Sequence, residues 1–437
     1  MSQPPRLALI LTEFPPAFGG MQTHAEALAA HLLQRGWSLV VYTYRPDLPE
    51  QQAAAAQFDA GCGYPVHRVL SRIGFWHNLR LLQRELGRQA PALIYAANVY
   101  YGLLGERLGV PVICRSVGND VQRPWIAYPY RLGSGIVSHP RLEGPLHRLY
   151  RRCNTPEWLE ALLRRARQQL MRRSARANRL LLANSDYTRE LLLATGADAP
   201  RIRVVPGGVD CARFATASPA LRATLGLPQD AVILLTACRL VAKKGIDFLI
   251  AQLPALRTVE PRLHLLVVGD GRERRRCEQQ VSALHLDHAV TFAGRVPQHA
   301  IQHYFAACDV FILASRISVN RISGLADAET MGRVLCEANA AGVPVLASRS
   351  GGIPSVIRDD DNGLLFASDD AEDLLRQFRR LRTDPALAAR LVARGRQRAQ
   401  EEFDWRVILA AHEQAFASVL QSSRPSPATL LAASAAS

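Results

Sequence analysis

Ala328–Gly342 reads AETMGRVLCEANAAG and carries two carboxylates, Glu329 and Glu337, eight residues apart. Upstream, Val310–Ala314 is a short apolar run of the kind that forms a buried parallel strand, and Val343–Ala347 downstream reads the same way. Val334–Ala341 between them holds good helix formers and no breaker. Strand, loop, helix and strand in that order make the repeating unit of a parallel sheet covered by helices.

This placement separates the two acids. Glu329 falls in the loop before the helix, where Gly332 lets the backbone approach a ligand closely. Glu337 projects from the second turn. Between them the first-turn amides of Gly332, Arg333 and Val334 form an anion site aided by the helix dipole. An elongated ligand with phosphate in its middle and hydroxyls at both ends suits such a layout, and a nucleotide sugar has that shape. The same residues also fit a plainer reading, in which Glu329 is an ordinary first-turn acid and Glu337 a solvated helix residue.

Working outward, the unit repeats along the chain. Strands are expected at Leu7–Thr12, Leu39–Tyr44, Val66–Leu70, Leu93–Ala97, Val112–Ser116, Leu180–Ala183 and Ile202–Val205, with helices at Thr23–Gln34, Trp76–Gln89 and Pro156–Ala177. The segment Arg123–Asn154, with its Pro, Gly and aromatic residues, reads as an irregular functional loop. Pro206–Asp210 (PGGVD) interrupts the alternation as a hinge. It then resumes with strands at Val232–Ala237, Leu263–Val268, Val290–Ala293, Val310–Ala314, Val343–Ala347 and Leu364–Phe366.

The expected organisation is α/β, with two doubly wound Rossmann-like domains facing across a cleft: 1–206, carrying a basic insertion 121–180, and 207–403. A helix over 404–420 crosses back to the first domain, and a Ser/Ala/Pro-rich tail, 421–437, is disordered.

Composition narrows the classes. The length of 437 residues suits two domains, and no run approaches the ~20 apolar residues of a membrane span. The apolar run Leu7–Leu11 is too short for a signal segment and reads as a first strand. Eight scattered cysteines give no metal or redox spacing, so a cytoplasmic chain is expected. The net charge of +15 is concentrated, with 13 Arg against three acids between Val121 and Leu180. Such a patch suits an anionic membrane surface better than nucleic acid, for which no module is present. Of 53 basic residues only two are Lys, the adjacent Lys243 and Lys244, which suggests a need for a compact ammonium there.

Glycine-marked turns sit at the carboxyl ends of several expected strands: Gly19-Gly20, Gly118-Asn119-Asp120, the turn bracketed by Arg239 and Lys244, and Gly351-Gly352. The stretch VGDG at Val268–Gly271 lacks the third glycine of a dinucleotide fingerprint, so no NAD site is read from it. These pieces, with FGGMQTHAEALAAHL, ANSDYTRELL, VVPGGVD, CRLVAKKGIDFLI, FAGRV, LCEANAAGVPVLAS and GGIPSVI, occur in a fixed order from about residue 7 to 420. Together they resemble the retaining family 4 glycosyltransferases of the GT-B fold, the glycosyl transferases group 1.

The resemblance implies roles for individual residues. Arg239 and Lys244 would grip the donor diphosphate and stabilise the leaving nucleoside diphosphate. Glu329 would hold hydroxyls of the donor sugar, the amides of Gly332, Arg333 and Val334 the phosphates, and Glu337 the ribose. Val296 would meet the base through its backbone, and Gly20 the diphosphate from the N-terminal side. Where many members carry His-Gly-x-Asp, this chain has Val117-Gly118-Asn119-Asp120, which leaves Asp120 as the candidate acid near the reacting centre. His24 on the first helix reads as structural.

The family expectation is front-face attack, with the departing phosphate taking the acceptor's proton. No Asp-x-Asp motif follows a strand, so metal independence is expected and no cofactor beyond the nucleotide-sugar co-substrate. The acceptor would be a glycan or a lipid-linked molecule in cell-surface polysaccharide or glycolipid synthesis, at the inner face of the cytoplasmic membrane. Alternatives are a nucleotide-sugar sensor without transferase activity, which the lost histidine allows but the intact Arg239, Lys244, Glu329 and Glu337 argue against, and a GT-B nucleotide-sugar epimerase, which would need further acids.

Overall fold

The computed structural model describes residues 5–17, 19–72, 74–122, 157–216, 221–319 and 326–423. The loop expected at Arg123–Asn154, with that part of the basic insertion, the middle of the loop Ile317–Asp327 and the tail beyond Ser423 lie outside the described residues. The rest divides into two compact units. One takes in the described residues up to Asn184, Thr188–Val205 and those from Leu409 onward; the other takes in Ser185–Tyr187 and Pro206–Ile408.

The first unit holds a seven-stranded sheet of β1 (Arg6–Ile10), β2 (Ser38–Tyr44), β3 (Val66–Leu70), β4 (Leu93–Ala96), β5 (Val112–Ser116), β6 (Leu180–Ala183) and β7 (Ile202–Val204). Their spatial order is β3-β2-β1-β4-β5-β6-β7, and every pairing is parallel. Strands buried on both faces need continuous apolar runs, and Leu7–Ile10 and Leu93–Ala96 have no exposed side chain. The first helix starts at Gly20, earlier than periodicity predicts, because the Thr23 amide and hydroxyl both donate to the Gly19 carbonyl at 3.0 Å. A helix at Pro49–Ala60 has no apolar stripe, burying only Ala55, so no periodicity announces it.

The second unit holds β8 (Val232–Ala237), β9 (Leu263–Val268), β10 (Val290–Gly294), β11 (Val310–Leu313), β14 (Val345–Ser348) and β15 (Leu364–Phe366), in the order β10-β9-β8-β11-β14-β15 and again all parallel. Alternation along β8 sends Ile233 and Leu235 to the core on one face of the sheet, and Val232 and Leu234 to the core on the other. A two-residue antiparallel ladder, β12 (Ser318–Val319) with β13 (Ala326–Asp327), stands apart from the sheet. The sheet order reverses between β8 and β11, and in such sheets ligands bind beyond the strand ends at that reversal.

The Pro206–Asp210 segment is tied into the second unit. The Val209 amide donates to the Phe403 carbonyl at 2.9 Å, and the Trp405 amide to the Val209 carbonyl at 3.1 Å. The last helix, Trp405–Ser423, runs three residues into the stretch expected to be a disordered tail. Phe416 and Val419 on its buried face carry it on, and the Ser422 hydroxyl bonds the Val419 carbonyl at 3.0 Å. Among the described residues no helix is long and apolar enough to cross a membrane.

Candidate active site

Two chain segments leave the carboxyl ends of β8 and β11 side by side at the reversal. From β8 come Arg239 and a 3-10 turn, Ala242–Lys244, closed by Gly245 in the left-handed region (φ 63°). Lys244 therefore precedes the helix, which starts at Ile246. From beyond β11 come Ala328–Gly332 and the helix Arg333–Ala341.

The Lys244 ammonium donates to the Glu329 carboxylate in a nearly buried ion pair. Burial opposes both charges, yet each partner outweighs it. The pKa of Lys244 is raised, chiefly by Glu329, and that of Glu329 is lowered by Lys244, then Lys243 and Arg239. Both groups are charged at neutral pH. Arg239 is exposed, and its guanidinium forms no hydrogen bond or ion pair among the described residues. It lends its charge to the site without being consumed by it.

The adjacent lysines do different work. Lys243 is buried and donates to Asp327 Oδ1 at 3.0 Å and to the Ala328 carbonyl at 3.2 Å. This division is not legible in the sequence, where its only signal is two acids, Asp327 and Glu329, two positions apart.

Gly351 (φ 53°) and Gly352 explain why this loop is glycine-facing. A Cβ on Gly351 would lie 2.1 Å from the Glu329 carbonyl, and one on Gly352 1.9 Å from that of Thr330. The Gly352 amide donates to the Glu329 carbonyl at 2.7 Å. The glycine pair thus holds the backbone of Glu329.

Gly332 caps the helix in the left-handed region, and Arg333 and Val334 form its first turn, where helix amides lack intrahelical partners. Glu337 is buried, contrary to the solvated alternative, and lies 3.3 Å from Arg333 Nη2. Burial raises its pKa against the pull of Arg333, Arg213 and a hydrogen bond from Gln298. Its two arginines only partly offset the desolvation of this buried carboxylate. Val296 lies in the loop after β10, half-buried, two positions before Gln298. Arg213 and Gln298 were not foreseen, since nothing in their local sequence points to Glu337.

In the first unit, Gly20 opens the first helix. Asp120 is buried, and both its oxygens are engaged: Oδ2 accepts from the Val99 amide at 3.0 Å and Oδ1 from the Ser116 hydroxyl at 2.7 Å. Burial raises its pKa despite these bonds. A pocket beside it, at the carboxyl ends of β1, β4 and β5, is lined by Glu13, Met21, His24, Tyr95, Arg115 and Val117, among others. Val117 occupies the position of the missing histidine. His24 sits in the core, its Nε2 3.3 Å from the Tyr95 hydroxyl.

Residues 18–213 match the profile described as Glycosyltransferase Family 4, and residues 218–398 that of Glycosyl transferases group 1. The chain belongs to this family. It is therefore a retaining glycosyltransferase that uses a nucleotide-sugar donor.

Among curated relatives, the GDP-mannose-dependent alpha-(1-6)-phosphatidylinositol monomannoside mannosyltransferase of Mycolicibacterium smegmatis is 29% identical over 92% of this chain and 95% of its own. The D-inositol 3-phosphate glycosyltransferase of Streptomyces bingchenggensis is 30% identical, over 57% of this chain and 54% of its own. Anabaena HepE, solved in complex with UDP and glucose, superposes with a TM-score of 0.69 at 19% identity, covering 95% of this family 4 chain and 100% of its own. That likeness establishes the GT-B fold.

Proposed function

We propose that this glycosyltransferase moves a mannosyl group from GDP-mannose to a lipid-linked acceptor. The observation that carries the site assignment is the nearly buried Lys244–Glu329 ion pair at the sheet reversal, beside the uncommitted guanidinium of Arg239. A single ion pair stripped of water is worth little to stability and suits a site prepared for a polar ligand. Arg239 and Lys244 meet the donor diphosphate, and the first-turn amides of Gly332, Arg333 and Val334 add their dipoles. Glu329 takes sugar hydroxyls and Glu337 the ribose, with Val296 against the base.

As the glycosidic bond breaks, negative charge grows on the departing diphosphate. Lys244 and Arg239 stabilise it there, which is where such stabilisation accelerates the reaction. The departing phosphate accepts the proton of the attacking hydroxyl on the same face of the sugar, giving retention without a protein nucleophile. The two cations supply the charge that a metal would otherwise bring, so the reaction is metal-independent. Asp120 acts by holding the turn after β4 and not by touching the sugar.

The donor reading draws on the mannosyltransferase relatives, whose likeness runs almost the full length of this chain. The lipid-linked acceptor draws on them too, and on the helix Glu157–Ala177. That helix exposes Trp158, Leu162, Arg165 and Arg172, an arrangement suited to an anionic bilayer at the cytoplasmic face. Turnover of a panel of GDP-, UDP- and ADP-sugars in EDTA, with and without polyprenyl or inositol-lipid acceptors, tests the reading. Selective use of GDP-mannose supports it, and turnover of UDP-sugars alone replaces the donor.

A further inference from the structure

Lys243, like Lys244, is engaged by an acid, but its partners are different and frame the site. Its ammonium is buried and takes Asp327 Oδ1 and the Ala328 carbonyl, 84 and 85 positions away. Ala328 is the residue before Glu329. Asp327 belongs to β13, whose partner Ser318 donates its hydroxyl to the Asp327 carbonyl at 3.4 Å.

The stretch between β11 and β12 is moored to the same turn. The Arg316 amide donates to the Lys243 carbonyl at 2.8 Å, and Arg316 Nε to the Ala242 carbonyl at 3.1 Å. Arg316 Nη2 then contacts both oxygens of Asp247 at 2.7 Å. The turn Ala242–Lys244 therefore grips both ends of the segment that leaves β11 and returns at Ala328. Loss of the Lys243 ammonium would remove the cation beside the buried Asp327 carboxylate and release the Ala328 carbonyl.

We infer that Lys243 is a positioning residue for the transferase reaction. It fixes the backbone at Ala328 so that the next side chain, Glu329, is held toward Lys244 and toward the sugar. This rests on the proposed donor site. Its signature is selective: Glu329 addresses the sugar, whereas Arg239, Lys244 and the helix amides address the diphosphate. Disturbing Lys243 should therefore harm the sugar nucleotide and spare the nucleoside diphosphate.

The test uses the full chain with Lys243→Met, Lys243→Arg and the double variant Lys243→Met/Asp327→Leu, which replaces the buried pair by apolar side chains and keeps the experiment interpretable if Lys243→Met folds poorly. Steady-state donor turnover is measured beside calorimetric binding of the sugar nucleotide and of the nucleoside diphosphate alone. The expected result is a fall in kcat/KM of tenfold or more in Lys243→Met, with nucleoside diphosphate affinity within twofold of wild type. Lys243→Arg should recover part of the turnover. The double variant should regain melting temperature but not turnover.

Turnover within twofold of wild type in Lys243→Met would overturn the role. So would equal loss of affinity for both ligands, or recovery of both melting temperature and turnover in the double variant, since either marks a stability effect. A wild-type chain that binds no nucleoside diphosphate would instead overturn the donor site itself.

Discussion

Lys244 and Glu329, 85 positions apart in the chain, meet as a nearly buried ion pair where the second sheet reverses its strand order. Lys244 adjoins one member of a second such pair, Lys243, and Glu329 lies two positions from the other, Asp327. Two neighbouring lysines thus serve two nearby acids, one pair within the site and one behind it.

Lys244→Ala removes a cation from the developing diphosphate charge. Loss of one such group costs on the order of 10²–10³ in kcat, and the same loss is expected here with donor KM changed less. Steady-state kinetics at saturating acceptor checks it.

The pH dependence of stability follows from the same pair. The folded-state pKa of Glu329 is depressed, so its contribution is present above its unfolded value and lost as pH falls through the folded one. The pKa of Lys244 is raised, so its contribution is full below its unfolded value and lost as pH rises through the folded one. The pair therefore gives a plateau across neutral pH with a fall at each end. Urea melts of wild type against Glu329→Gln, from acid to alkaline pH, should converge at low pH.

Glu337 has the opposite sign. Its pKa is raised by burial, so its ionised form works against folding once pH exceeds the folded value. Glu337→Gln is expected to raise the melting temperature at neutral pH, to lose that advantage in acid, and to weaken nucleotide binding. Thermal melts beside calorimetric titration with the nucleoside diphosphate separate the two effects.

The strands and the donor-side loops were legible because each is local. Apolar runs such as Val232–Ala237 need only themselves to be recognised, and LCEANAAG carries its own helix and cap. Arg213 and Gln298 were not legible, because what brings them to Glu337 is the packing of distant segments. The helix Pro49–Ala60 escaped notice because an alanine-rich surface helix has no apolar stripe to read. Asp120 read in the sequence as a candidate acid near the reacting centre; its two bonds to Val99 and Ser116 were not legible, because they depend on the juxtaposition of β4 and β5.

Asp120→Ala should act through the fold. It leaves the Val99 amide buried without its acceptor, a cost of about 1–3 kcal/mol. Chemical denaturation is expected to show that loss, with nucleoside diphosphate affinity unchanged, since both oxygens of Asp120 are taken by Val99 and Ser116.

Arg165→Glu and Arg172→Glu test the membrane-facing reading of their helix. An arginine near an anionic surface contributes about 1 kcal/mol, roughly fivefold in partitioning. Co-sedimentation with vesicles containing anionic lipid should fall by at least that factor for each variant, and added salt should reduce the wild type toward the variants.

The central claim is that Lys244 and Glu329 form a metal-independent donor site, and donor turnover in EDTA tests it most directly. Wild type, Lys244→Ala and Glu329→Ala are compared on GDP-mannose and on UDP- and ADP-sugars. Selective turnover of GDP-mannose by wild type, undiminished by EDTA and lost in both variants, is the expected result. Turnover that survives in both variants, or that disappears with the chelator, would contradict it.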